Sequence, residues 1–193
     1  MISVDYFTNR IFNSRTYVLS VEECEDVWLV DCGDADRILA LIAGRVLKGV
    51  LITHGHSDHI YGLQEILERF PNAEVYTNQA GVAALRSPKL NLSRYHSEYP
   101  DISIDEPMNM RIVGEGDDVE VLGTHVKVYE TPGHAPSCIT YIIEDKAFTG
   151  DAYIPGVNVF TGFPHANRLQ ADLSVERILQ LTKDCLVMPG HTV

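Results

Sequence analysis

The residues of strongest chemical character stand in one run of six, His54-Gly55-His56-Ser57-Asp58-His59. Imidazole nitrogens and carboxylate oxygens are the donors that suit zinc, iron and related divalent ions. In an extended loop His54 and His56, two apart, can aim at one point. Asp58 and His59, where the chain turns, can face a second point nearby. Gly55 and Ser57 are too small to crowd them. A lone histidine near a helix start is more readily a cap or a surface residue. Four donor side chains in six positions are not explained that way.

Three further donors each follow a strand-like run at a glycine-marked turn. They are His134 in Thr131-Pro132-Gly133-His134, Asp151 in Phe148-Thr149-Gly150-Asp151, and His191 in Met188-Pro189-Gly190-His191. Glycine lets the backbone pass close to a site and aims the next side chain at it. Five of the chain's 8 histidines then belong to one donor set. The expected cofactor is a pair of divalent metal ions, zinc above all, with iron and manganese suited to the same donors. Two such ions roughly 3.5–4 Å apart can share a water and bring its pKa toward ~7, giving hydroxide at neutral pH. That is hydrolytic chemistry aimed at a carbonyl carbon.

The elements that must position these donors alternate between strand and helix. Residues 16–21 and 27–31 are β-rich runs around an acidic turn and predict a hairpin. Residues 34–43 place Ile38, Leu41 and Ile42 at helical spacing, and 49–53 form a compact apolar run, the mark of a buried strand. The histidine run follows it directly. A helix is predicted over 60–70, with Leu63, Ile66, Leu67 and Phe70 on one face and Pro71 as its stop, then a strand over 74–77. The second half predicts strands over 119–122, 125–130, 139–144 and 147–149, a helix over 173–182, and a last strand over 185–188. Such a mixture implies sheets covered by helices, with chemistry on loops at strand ends, in a single domain spanning residues 1–193. Residues 87–110 break the rhythm with Pro88, Pro100 and Pro107. They carry Tyr95, His96 and Tyr99, and are expected to form a partly helical surface excursion and a candidate lid.

The order HxHxDH, then GH, GD and GH, resembles the metallo-β-lactamase fold superfamily, and within it the glyoxalase II-like hydrolases. The agreement runs from residue 27 to the C-terminus. The resemblance implies an α/β fold, a four-layer αββα sandwich with the metals at the edge between two sheets. It implies a ligand split as well: one metal on His54, His56 and His134, the other on Asp58, His59 and His191, with Asp151 bridging both. Asp58 is the candidate catalytic residue, orienting the nucleophile as well as ligating. Asp31, in Val30-Asp31-Cys32-Gly33, occupies the family's VDxG slot and is a candidate partner for a ligand imidazole. Tyr153, His165 and Arg168 lie in the loop after Asp151, where the superfamily lines its mouth, and are the candidate substrate contacts. His96 and His125 lack metal-ligand spacing and read as surface or strand residues, and Cys138 as an apolar filler.

The expected activity is cleavage of a small thioester or ester. Glyoxalase II proper adds a C-terminal helical region that helps grip glutathione; with the sequence ending at Val193, a short form without that region is expected. The alternatives are a persulfide dioxygenase-like oxidoreductase using one iron, or a lactonase or phosphodiesterase of the same superfamily. Asp151 speaks against β-lactam hydrolysis, because lactamases of the fold do not bridge their metals with that aspartate. A net charge of −12 disfavours nucleic-acid and anionic-membrane partners and leaves a small-molecule substrate. Two divalent ions would nonetheless make the mouth locally attractive to anions. No apolar run is long enough to span a bilayer, and the first ten residues lack the pattern of a secretion signal. The four cysteines, without a CxxC pair, read as free thiols, so a cytoplasmic location is expected.

Overall fold

The computed structural model of the chain describes residues 1–105 and 109–192, so Pro107 of the proline-marked segment lies outside the described residues. Six strands build the first sheet in sequence order: β1 (Ser3–Thr8), β2 (Arg15–Ser20), β3 (Asp26–Val30), β4 (Val46–Leu51), β5 (Glu74–Thr77) and β6 (Met110–Ile112). The first three pair antiparallel and the rest parallel. Parallel neighbours need crossovers. Helices α1 (Ala35–Leu41), α2 (Leu63–Arg69) and α3 (Gln79–Leu85) lie in the connections after β3, β4 and β5. The second sheet comprises β7 (Asp118–Val121), β8 (Thr124–Glu130), β9 (Ile139–Ile143), β10 (Lys146–Gly150) and β11 (Leu186–Pro189), in the spatial order β11-β10-β9-β8-β7. Only β10 and β11 pair parallel there, and α4 (Arg168–Leu181) connects them.

The period-2 alternation of β2 and β3 sorts their side chains into two cores. Tyr17, Leu19, Trp28 and Val30, joined by Leu51, meet Val126, Val128, Tyr141 and Phe148 of the second sheet. Val18, Val27 and Leu29, on the opposite face, pack under Ile38, Leu63 and Ile66 of the helices. Tyr17 and Phe148 meet edge-on at 5.2 Å between ring centroids, a geometry worth about 0.5–1.5 kcal/mol beyond the area it buries. On the far side of the second sheet Ile178 of α4 is buried with Ala135, Cys138 and Ala152. The layers therefore run helix, sheet, sheet, helix, the αββα arrangement.

Three elements go beyond the sequence expectation. Strand β1 is an edge strand of exposed and half-buried residues, recruited by its hairpin register from Ser3↔Ser20 to Thr8↔Arg15 rather than by an apolar pattern. Helix α3 is built from small residues and starts at Asn78, whose side chain accepts the Gly81 N–H at 2.9 Å; capping specifies it where periodicity does not. Strand β6 is three residues long. Helix α4 also begins earlier than residue 173, because Asn167 caps it through the Gln170 N–H at 3.0 Å.

The described part of 87–110 holds one short 3-10 turn, Ser93–Tyr95, and is fastened to its surroundings. Asn91 is fully buried and donates to the carbonyls of Ala84 (3.0 Å) and Ile102 (2.9 Å). Among the described residues no helix is long and apolar enough to cross a membrane. The four cysteines are free thiols, with Cys32 and Cys138 buried.

Candidate metal centre

All of the donor side chains singled out above leave strand ends at one edge of the two sheets. His54–His59 follow β4, His134 follows β8, Asp151 follows β10 and His191 follows β11. Strand-end loops of this kind are where a rigid scaffold carries chemistry. Backbone bonds lock the ends together: Ile139 N–H donates to Thr53 O across the sheets at 2.7 Å, and Gly190 N–H to Gly150 O at 2.9 Å. Two glycines are sterically required. Gly150 has φ +50, and a Cβ on it would stand 2.4 Å from Thr53 Oγ1; a Cβ on Gly190 would stand 2.2 Å from Asp151 Oδ1.

Three overlapping groups bring their ligand atoms within 4.8 Å of one another: His54, His56 and His134; His54, His59 and Asp151; Asp58, His59 and His191. His56 Nδ1 faces His134 Nε2 at 3.0 Å, and His59 Nε2 faces His191 Nε2 at 3.3 Å. Asp151 stands between the outer groups, with Oδ2 at 3.5 Å from His134 Nε2 and 3.3 Å from His191 Nε2. His54, His56, His59 and His134 are buried, so the run lies in the interior edge rather than in an exposed loop, with His56 and Asp58 facing a cavity.

Oxygen acceptors sit behind three of the imidazoles. Asp31 Oδ2 lies 2.8 Å from His59 Nδ1, Phe160 O 2.8 Å from His134 Nδ1, and Phe12 O 3.0 Å from His191 Nδ1. An N–H held there leaves each Nε2 lone pair facing the cluster. Asp31 is fixed in turn by the Thr53 N–H and hydroxyl, both at 2.7 Å. Ser14 ties the first hairpin to the site by donating its hydroxyl to Asp58 O at 2.7 Å.

Two atoms inside the cluster, His54 Nε2 and Asp151 Oδ1, are buried with no hydrogen-bond partner among the described residues. An unsatisfied buried polar group costs roughly 1–3 kcal/mol, and a shared divalent cation would satisfy both, Asp151 Oδ1 having otherwise only His59 Nε2 at 3.6 Å. The donor set, nitrogen and carboxylate oxygen with no thiolate, suits such an ion. Charge divides the cluster. Burial drives His54 well below the usual imidazole range, and its histidine neighbours add to that. Burial, with His134 close by, takes His56 down to about 3. Burial also opposes charge on His59, yet Asp58, Asp31 and Asp151 outweigh it and raise the ring to about 9. His191 follows the same logic: burial is overcome by hydrogen bonds to Asp151 and Asp58, and its pKa rises to about 10. Burial works against both carboxylates, but His59 and His191 hold Asp58 and Asp151 below the ordinary range. The carboxylates thus favour positive charge at His59 and His191, which marks a position that suits a cation.

The three candidate substrate contacts fare differently. His165 lines a cavity of about 180 Å³ that reaches His56. Tyr153 packs against the Ala135–Ile178 cluster, with its carbonyl taking the Thr149 hydroxyl at 2.6 Å. Arg168 starts α4 and pairs with Asp172 at 2.9 Å, and neither it nor Tyr153 lines a cavity described at the cluster. The main cavity over the donors, about 310 Å³, has Phe12, Leu92, His96 and Phe163 as its walls. His96 is therefore a site-lining residue rather than an ordinary surface one, whereas His125 is exposed and bonds Asp118. Phe12, Leu92 and Phe163 carried no sequence signal, since their position follows only from tertiary packing.

A histidine–aspartate cluster at the open edge of an αββα sandwich defines a metal-binding α/β class. The metallo-beta-lactamase superfamily model matches residues 12–191, and the chain belongs to that superfamily. A curated relative from Xylella fastidiosa (strain M12), hydroxyacylglutathione hydrolase, is 33% identical over 166 residues, 84% of this chain. The chain spans 54% of that relative's length. Among solved structures, BLEG-1 B3 metallo-beta-lactamase superposes with TM-score 0.89 at 22% identity, covering 99% of this chain and 92% of that one. TTHA1623 in a di-iron-bound form gives 0.81 at 24%, covering 98% and 92%. At those identities the likeness is one of fold.

Proposed function

We propose that the chain is a metal-dependent hydrolase that holds two divalent ions and cleaves a small thioester or ester. His54, His56 and His134 would hold one ion, Asp58, His59 and His191 the other, and Asp151 would reach both. The pair of orphaned buried donors, His54 Nε2 and Asp151 Oδ1, carries this reading. Zinc suits these donors, as do iron and manganese. Bound there, the ions supply Lewis acidity, which acidifies a water and polarises a carbonyl.

The chain's own residues do the rest. Asp58 lines the floor of the 310 Å³ cavity, where its carboxylate can accept a hydrogen bond from the attacking water and orient it toward the carbonyl carbon. His191 fixes that carboxylate, with Nε2 3.2 Å from Oδ2. Asp31 and the carbonyls of Phe160 and Phe12 keep the ring tautomers constant, so the donor lone pairs need no rearrangement. The name of the Xylella relative supports a thioester as the bond cleaved.

Metal analysis of the purified protein, paired with thioester, ester, lactone and phosphodiester substrates, tests the proposal. About two divalent ions per chain and acyl-ester turnover that chelation abolishes and added metal restores are expected. One iron per chain with oxygen uptake on a persulfide, or turnover of phosphodiesters alone, overturns it.

A further inference from the structure

Helix α3 lies directly on the donor loop. A Cβ on Gly55 would stand 2.4 Å from the Cβ of Ala84, so both residues must be small for the helix to pack there. The Ser137 hydroxyl accepts the Gly55 N–H at 3.0 Å and ties a second wall to the same loop. That packing accounts for Ala84, which is buried, and not for Ala80 and Ala83. Ala83 is exposed and Ala80 half-buried, at i, i+3 spacing on one helix face. A long polar side chain is the ordinary choice at such positions. With Leu90, Pro136 and Pro164 they instead wall a groove of about 180 Å³. Among the described residues no lysine, arginine, aspartate or glutamate lines it.

The groove opens beside the donors. His56 lines both it and the main cavity of about 310 Å³, and two pairs of chain neighbours divide between the two spaces, His134 with Ala135 and Phe163 with Pro164. The His56 side chain is almost wholly buried. Its Nδ1 is turned to His134 Nε2 at 3.0 Å, and among the described residues its Nε2 makes no hydrogen bond. A neutral ring that offers its Nδ1 lone pair to a metal carries its proton on Nε2. An N–H without a partner on a ring so enclosed calls for an acceptor from a ligand. The ring stands where the two cavities meet, so a polar group fits there and an apolar one beyond it.

We propose that the groove takes the alkyl chain on the acyl side of the substrate, that Ala80 and Ala83 hold its space open, and that it selects substrates by chain length. The proposal deepens the hydrolase reading and rests on it. At roughly 30 Å³ for each group the size of a water or a methylene, 180 Å³ holds about six. A bulky thiol carrier exceeds that and is left to the larger cavity, so the smaller one falls to the acyl chain. Each methylene moved from water to such walls gains up to roughly fourfold in binding. Charge on the rest of the substrate does not enter this selection. It meets His191, and the ions of the hydrolase reading, at the main cavity.

The test measures kcat/KM for acetyl, butyryl, hexanoyl and octanoyl thioesters of N-acetylcysteamine on the metal-loaded protein, its Ala83→Leu variant and its Ala80→Leu variant. Leucine suits a helix position with room outward, and metal content is checked throughout. Acetyl thioesters of alkyl thiols of the same lengths form a second series. Binding of the matching ketones, with a methylene in place of the thioester sulfur, is followed by calorimetry. Expected are a rise in kcat/KM of at least about tenfold from acetyl to octanoyl, mainly through KM, and loss of most of that rise in both variants. The ketone affinities should follow the same order. A flat acyl series, a rise that either variant retains with its metals bound, or a rise that follows the thiol series instead overturns the proposal. Should no thioester turn over, the hydrolase reading fails by itself and the ketones decide. Tightest binding of the longest ketone, lost in Ala83→Leu, upholds the groove, and equal affinity along the series overturns it.

Discussion

Replacing Asp31 by asparagine removes one charge from beneath the donor cluster while leaving every proposed ligand in place. The residue is buried and left-handed, at φ +59. Asparagine visits that region readily, so the substitution adds no backbone strain that alanine would. Three donors converge on the two carboxylate oxygens: the Thr53 N–H and hydroxyl at 2.7 Å and His59 Nδ1 at 2.8 Å. An amide offers one acceptor oxygen and turns an NH2 group toward a donor on the other side. Hydrogen bonds to a charged acceptor contribute about 1.5–3 kcal/mol each, and an unsatisfied buried donor costs about 1–3 kcal/mol. A loss of about 2–4 kcal/mol in the stability of the metal-free chain follows, read by urea unfolding. If the amide leaves His59 Nδ1 unpaired, the tautomer that frees Nε2 is no longer fixed, and metal affinity should fall roughly 10–100-fold, measured by chelator competition. Wild-type metal affinity in a destabilised Asp31→Asn chain would refute the coupling and leave Asp31 as a strand-end residue only.

Asp58→Asn should lower kcat by about 10²–10⁴-fold, the usual worth of a positioned acid–base group, with the fold intact by circular dichroism; turnover near wild type would remove Asp58 from the mechanism. Gly190→Ala should weaken metal binding without altering any donor, since its Cβ would press on Asp151 Oδ1 and on His59 Cε1, 2.9 Å away; unchanged affinity by calorimetry would show that the edge yields. The metal-free chain should be most stable near pH ~6.5, the unperturbed imidazole value. Below it, the depressed His54 and His56 bind fewer protons folded than unfolded, so stability falls as pH drops. Above it, the raised His59 and His191 lose their protons through about 9 and about 10, and the stability they contribute goes with them. Bound metal should move the maximum upward, and a metal-free stability curve rising steadily to pH 9 would contradict the charge division.

The donor cluster was legible in the sequence because its side chains stand out twice, by chemical type and by the strand-end glycines before His134, Asp151 and His191. His54, His56, Asp58 and His59 sit in one loop, and His134, Asp151 and His191 each follow a glycine, so local spacing carried the information that the converged geometry repeats. The core strands were legible for a related reason: β2 and β3 alternate between two apolar layers, and that alternation is written residue by residue. Elements specified by partners rather than by their own pattern were not legible. Strand β1 exists because β2 offers it an edge, and α3 because Asn78 caps a run of small residues. The walls of the cavity belong to this second kind. Phe12 reaches the site from the first hairpin, Leu92 and His96 from the proline-marked segment, and Phe163 from the loop before α4, and no spacing rule links four residues so far apart. Sequence places Tyr153 and Arg168 only by their position after Asp151. In the fold Arg168 pairs with Asp172, and Tyr153 packs against Ala135, Cys138, Ala152 and Ile178. The chemistry of such a site is thus set by short-range pattern and its selectivity by long-range packing. Under the proposed hydrolase reading, substitutions at Phe12 or Leu92, which line the cavity, would alter which substrate is accepted while leaving the donor cluster as it is.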